Sequence, residues 1–104
     1  MQAGLKAIAE PRRQEILRLV WDRERPAGEI AAHFDVSRPA ISKHLRVLKD
    51  SGLVEERRQG TQRLYRARPE PIVEMRRFLE SFWDEGLFAI KQAAEAGSKR
   101  GKGR

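Results

Sequence analysis

The 104-residue sequence contains no cysteine. That absence excludes a disulfide framework, a thiolate metal site and a cysteine nucleophile. Histidine is scarce too, with only His33 and His44, which fall on different predicted helices. No run of uncharged residues exceeds five, so no segment is apolar enough to span a bilayer. The N-terminus, Met1-Gln-Ala-Gly-Leu-Lys6, lacks the apolar run of a secretory signal. A soluble cytoplasmic protein without membrane partners is expected. Glycine-rich phosphate loops, Ser-His-Asp arrangements and paired carboxylates are missing as well. Glu55 and Glu56 sit beside arginines and read as strand surface. Neither an enzyme nor a cofactor or metal site is expected.

What the sequence has in abundance is charge. Charged residues reach 36%, with 22 Lys+Arg against 15 Asp+Glu and a net charge of +7. Hydrophobic residues make up 39%, enough for one small domain. A chain of this size leaves about a third of its unfolded surface exposed, so a partner subunit would help. The positive excess is uneven. Residues 1–36 balance at zero, 37–68 carry +6, 69–95 carry −3, and the last nine residues carry +4. A basic central block beside neutral and acidic blocks suggests a surface for a polyanion. A solvated basic face is the plainer reading, and the residue pattern must decide between them.

Residues 2–9 read as a short helix ending before Pro11. A second helix follows, with Pro11 in its first turn and Ile16, Leu17, Val20 and Trp21 on one stripe. Arg25-Pro26 breaks it. A short helix over Ala27–Phe34 would face inward through Ile30, Ala31 and Phe34, and Asp35-Val36 makes a tight connection. Ser37 is a good N-cap for a helix from Arg38, and Gly52 stands where a left-handed C-terminal residue is wanted. Two strand-like runs, Leu53–Arg58 and Gln62–Arg68, join across Gln59-Gly60-Thr61 as a hairpin. Pro69 and Pro71 then open a long helix from about Glu70 to Glu95. Residues 1–96 form the expected domain, and the Gly-rich basic stretch 97–104 reads as a disordered tail. The order describes a mainly α protein with a small β-hairpin: a winged helix-turn-helix.

On the helix that starts at Arg38, Ile41, Leu45 and Leu48 fall within an arc of about 60° and form its buried face. Pro39, Ser42, Lys43 and Arg46 lie opposite, with Arg38 at the exposed start. Such a face suits a DNA major groove: arginine reads guanine bidentately, serine serves several base edges, and lysine holds phosphate. His44 borders the buried face, where it either bonds a phosphate or packs on the neighbouring helix. At the hairpin tip, Arg58 and Arg63 flank the turn, placed to meet the DNA backbone or a minor groove. The expected DNA-binding set is Ser37, Arg38, Pro39, Ser42, Lys43, His44, Arg46, Arg58 and Arg63.

The long helix has more apolar residues than one face can hide. Ile72, Val73, Met75, Phe78, Leu79, Phe82, Trp83, Leu87 and Ile90 cover more than half its wheel, against a stripe of about 100° for a helix on one core. The surplus calls for a second copy of the chain, or for a hydrophobic ligand pocket. A homodimer through terminal helices is expected, with Leu5, Ile72, Met75, Phe78, Leu79, Phe82, Trp83 and Ile90 at its interface.

The stretch Ser37-Arg-Pro-Ala-Ile-Ser-Lys-His-Leu-Arg-Val-Leu-Lys-Asp-Ser-Gly-Leu-Val54 resembles the ArsR family of winged-helix repressors. Leu5–Leu17 resembles that family's opening segment, and Gly60 with Tyr65 fits its wing. The resemblance covers roughly residues 3–92. It implies a dimeric transcriptional repressor binding an inverted repeat of double-stranded DNA, with base contacts from Arg38, Pro39, Ser42, Lys43 and His44. The sequence departs from the family's metal sensors. Pro26 and Gly28 stand where those sensors carry a cysteine pair, and residues 70–95 contain no histidine. The resemblance is therefore to the cysteine-free type, which does not sense metals. A metal- or small-molecule-responsive sensor of the same fold and a protein-interaction module that has lost DNA binding are the alternatives.

Overall fold

The computed structural model describes the backbone of residues 1–102 and the side chains of residues 1–97. The stretch 97–104, expected to be a disordered tail after a helix ending near Glu95, instead continues the last helix as far as Lys102, and only residues 103–104 lie wholly outside the described residues. Eight elements follow in order: α1 (Gln2–Ile8), α2 (Pro11–Leu19), β1 (Arg25–Pro26), α3 (Ala27–Ala32), α4 (Arg38–Asp50), β2 (Val54–Gln59), β3 (Gln62–Ala67) and α5 (Pro69–Lys102).

Local chemistry sets most boundaries. Pro11 occupies the first turn of α2, and the Glu10 carboxylate accepts the Arg13 backbone N–H at 3.0 Å. Ser37 caps α4 by accepting the Ala40 N–H at 3.3 Å. At the far end of α4 the Gly52 N–H donates to the Lys49 carbonyl and the Leu53 N–H to the Leu48 carbonyl, both at 3.0 Å. Gly52 has φ +81°. This is a Schellman closure, and the accompanying pair Leu48 and Leu53 is fully buried. Gly60, with φ +63°, opens the two-residue turn between Gln59 and Gln62, so the hairpin closes as a Gly-first turn permits.

Three other expectations need correction. Arg25-Pro26 does more than break a helix: it forms β1, pairing Arg25 with Tyr65 and Pro26 with Leu64. The sheet therefore has three antiparallel strands in the order β1-β3-β2, and Pro26 is tolerated because β1 is an edge. Trp21 leaves the predicted stripe and is 55% exposed. The physical reason is that α2 ends at Leu19 and Val20 has already left helical geometry (φ −110°, ψ 12°), so the 3.6-residue period no longer applies. Met75, assigned to the dimer face, lies instead in the protomer's own core. Its thioether would meet a Cβ built on Gly4 at 2.9 Å, so α1 and α5 touch where glycine leaves room.

Ile16, Leu17 and Val20 of α2 and its cap, Ile30 of α3, Ile41, Leu45 and Leu48 of α4, and Leu53, Val54 and Tyr65 of the hairpin share one buried cluster. Leu5, Phe34 and Ile72 pack partly against it. The two ends of the wing are tied to this core by backbone bonds from Ala67 N to Val20 O (3.0 Å) and Arg68 N to Leu53 O (2.8 Å). Helix α4 and the hairpin thus hold a fixed relation to one another.

Candidate nucleic-acid interface

With Ile41, Leu45 and Leu48 buried, α4 turns Arg38, Pro39, Ser42, Lys43 and Arg46 to the surface. Ser37 stays exposed while its hydroxyl caps the helix, so its first role is structural. Arg38 lies back over α3: its guanidinium is 3.7 and 3.8 Å from the position of a Cβ on Gly28. Both helices of the helix-turn-helix therefore meet at the end of α4 that would enter a groove.

His44 is the exception in the expected set. It is half-buried against α2, with Nδ1 3.4 Å from the Arg13 guanidinium and 3.8 Å from the Glu10 carboxylate. Of the two readings left open by its wheel position, packing on the neighbouring helix is the one the geometry favours. Arg13 is the hub of this contact. Its Nε donates to the Ala7 carbonyl at 2.6 Å, at the C-terminal end of α1, where a cation also answers the helix dipole. Gln14 donates to the Ile8 carbonyl at 2.7 Å beside it. Sequence patterns gave no sign of this hub, because its members come from three helices.

On the wing, Arg58 and Arg63 face each other across the β2–β3 ladder, and both are exposed. Like charges directly opposite on a sheet repel, by up to about 1 kcal/mol relative to a neutral pair. An anion placed between them converts that repulsion into attraction. They project from the same side of the ladder as Glu56 and Tyr65, the side that faces α4. Between wing and helix runs a polar groove of about 310 Å³, edged by Ser42, Arg46, Lys49, Glu56, Arg63 and Tyr65. Arg46 and Lys49 of α4 and Arg63 of the wing share this one concave surface.

Two carboxylates decide which cations are free. Glu24 takes Arg57 in a two-point bridge at 2.6 and 2.9 Å, so Arg57 fastens the wing instead of reaching outward. The Arg57 hydrogen bond holds the Glu24 carboxyl below its ordinary range. Glu56, expected to be plain strand surface, is half-buried and accepts the Tyr65 hydroxyl at 2.9 Å, with Lys49 Nζ at 3.7 Å. Burial pushes its carboxyl toward neutrality. The Tyr65 bond and the charges of Lys49 and Arg63 outweigh that, so it titrates below the usual carboxylate range. Burial, then Glu56, pushes the Tyr65 phenol up. The one sequence signal for Glu56 was its phase: it alternates with Val54, which is buried on the same side of β2.

Of the expected dimer residues, Phe78, Leu79, Phe82, Trp83 and Ile90 are exposed along α5, whereas Leu5 and Ile72 are partly covered by the domain. Among the described residues, no group of three His, Asp or Glu side chains is placed to hold a metal ion, and no helix is long and apolar enough to cross a membrane.

Comparison with known proteins agrees with this geometry. The family described as "Bacterial regulatory protein, arsR family" matches residues 10–56, from the cap of α2 to the start of the wing. The HTH-type transcriptional regulator Rv2034 of Mycobacterium tuberculosis is 35% identical over 91 residues, covering 88% of this chain and 85% of that protein. Transcriptional repressor SdpR of Bacillus subtilis is 42% identical over 60 residues, 58% of this chain and 67% of its own. A homodimeric winged helix-turn-helix DNA-binding domain from Mycobacterium bovis superimposes with a TM-score of 0.65 at 35% identity, covering 83% of this chain and 80% of that one. Fold, helix-turn-helix match and near full-length relative agree, and the chain belongs to the ArsR family of bacterial transcriptional regulators.

Proposed function

We propose that this regulator works as a homodimeric repressor on an inverted-repeat operator. Helix α4 enters the major groove, with Arg38, Ser42 and Arg46 toward base edges and Lys43 toward phosphate. The wing follows the backbone with Arg58 and Arg63. The observation that carries the reading is the shared cationic surface of α4 and the wing: five exposed basic residues on two rigidly linked elements, with Arg57 withdrawn by Glu24. Dimerisation through the exposed apolar face of α5 would supply the second α4. Two-fold symmetry then demands two half-sites about 34 Å apart, one turn of DNA.

Fluorescence anisotropy on the protein's own promoter fragment against a scrambled duplex, at about 100 and about 200 mM salt, tests this. Tighter binding to the promoter at both salts is expected. Equal binding that collapses with salt would reduce the basic surface to a nonspecific footprint and reject an operator.

A further inference from the structure

Helix α5 leaves the domain carrying an apolar surface that its own chain does not cover. Phe82, Trp83 and Ile90 are 61%, 64% and 67% exposed. A helix of 34 residues is about 50 Å long, and only its root, at Ile72 and Met75, is seated on the core. Beside that root stands Trp21, between two apolar grooves. One, of about 630 Å³, runs along Ile8 and Leu17; the other, of about 260 Å³, lies between Trp21 and Ile72 and Val73 of α5.

Two features of α5 point to what covers these grooves. The first is the order of its charges: Glu70 and Glu74, then Arg76 and Arg77, then Glu80, Asp84 and Glu85, then Lys91 and Glu95, with Arg76 also bonded to Glu80 in its own helix at 2.8 Å. A second α5 running antiparallel, centred at about residue 81, sets Arg76 and Arg77 against the partner's Asp84 and Glu85. The same register sets Lys91 near the partner's Glu70 and Glu74, and a two-fold axis repeats each pairing. A parallel pair in register would align like charges. The second feature is Gly86. Glycine in mid-helix costs stability, and among the described residues no packed neighbour outside the helix's own backbone lies within 4 Å of where its Cβ would stand, so no contact among them requires it. Its missing side chain opens an apolar notch of about 170 Å³ edged by Phe82, Trp83, Leu87 and Ile90. In the antiparallel register this notch falls opposite the partner's α5 root, beside which the partner's Trp21 projects.

We propose that Trp21 is part of the subunit interface: the α5 of a second copy, running antiparallel, lays its Phe82–Ile90 segment across Trp21 and the grooves on either side of it. This rests on the dimer reading above and extends the interface from α5 to the end of α2. Because α2 also holds His44 through Arg13, the partner's arm would then bear on the helix against which α4 is seated.

The two tryptophans make the test direct. In Trp83→Phe, Trp21 is the sole tryptophan; its emission should be blue-shifted in the dimer and several-fold less quenched by acrylamide than in the same variant made monomeric by Phe82→Asp. Trp21→Ala and Gly86→Leu should each weaken the dimer about tenfold or more by sedimentation equilibrium. A dimer in which Trp21 is quenched as freely as in the monomer overturns the inference and leaves the dimer reading intact. A wild-type chain that sediments as a monomer at every concentration overturns both. Should Trp83→Phe itself fail to dimerise, the wild-type dimer carries the test: emission from both tryptophans shielded supports the interface, and half of it freely quenched rejects it.

Discussion

In α4 the large apolar residues Ile41, Leu45 and Leu48 are buried inside the protomer, and apart from Pro39, Val47 and Asp50 what remains exposed is hydroxyl and cation. Beyond the root of α5 the large apolar residues stay outside, from Phe78 to Ile90. Both helices are amphipathic by sequence, yet one is completed by its own chain and the other is left open. The contrast follows from what each helix has to pack on. Helix α4 meets α1, α2, α3 and β2 within its 13 residues, while α5 outruns the domain after about two turns. Exposed apolar surface of this extent marks an interaction face. Exposed charge on a rigid, capped helix marks a face for a charged partner. On the proposed function, the contacts with DNA and with a second copy would lie on elements that share a core but no surface.

Breaking the α5 side of this contrast should have the largest effect. Phe82→Asp puts a charge on the open face without touching the core, so the chain should stay folded but sediment as a monomer. Affinity for an inverted-repeat operator should then fall by on the order of 100-fold, because the second half-site no longer binds intramolecularly. A variant that remains dimeric would show that α5 is not the dimer element.

On the α4 side the effects should be smaller and divisible. Arg46→Ala should cost about 1–3 kcal/mol of operator affinity and relax the preference for the promoter over a scrambled duplex, if its guanidinium reads a base. Lys43→Ala should weaken both duplexes alike and lower the salt slope by about 1, as loss of a phosphate contact does. Exchange of these two signatures would reverse the assigned roles.

His44 sharpens the comparison, since it belongs to α4 by sequence and to α2 by contact. His44→Ala should lower operator affinity while leaving the salt slope unchanged, because a residue that only seats the helix releases no counterion. His44→Asn, which keeps an acceptor near the Nδ1 position, should restore most of the loss. A salt slope lowered by about 1 would instead place His44 on a phosphate.

The mildest prediction concerns Glu56, which ties the wing to the end of α4. Its carboxyl titrates below the ordinary range in the folded protein. Its contribution to stability is therefore complete above the unfolded-state value and is lost as pH falls through the folded one. Thermal melts across the acid range should show wild type losing stability that Glu56→Gln does not, since the amide still accepts the Tyr65 hydroxyl. Parallel acid limbs for the two proteins would contradict the assignment. Arg57→Ala should change the melting temperature still less, because the Glu24 pair is exposed and screened.

Much of this architecture is carried by short-range signals. The cap at Ser37, the left-handed Gly52, the turn at Gly60 and the prolines at Pro11 and Pro69 act within a few residues, so their effects can be read without knowing what lies across the fold. The same holds for the period that buries Ile41, Leu45 and Leu48 and turns Ser42, Lys43 and Arg46 outward. Where the helical period stops, reading by period fails, as it does at Trp21, two residues beyond the end of α2. Met75 was misassigned for a different reason: an apolar residue on a helix looks the same whether its partner is α1 of its own chain or a second copy. Two residues on β1 were missed because so short a strand has no pattern of its own and exists only through β3.

The sequence by itself determined the order of the helices and the hairpin, the caps, the cationic face of α4 and the apolar excess of α5, since each depends on neighbours within one or two turns. The tertiary structure alone decided which side chains were left over for function. It gave Arg57 to Glu24, 33 residues away, His44 to Arg13, 31 away, and Met75 to the space left by Gly4. It left Arg58 and Arg63 facing each other across the hairpin. Such pairings are fixed by how the whole core closes, and no local pattern encodes the closing of a core.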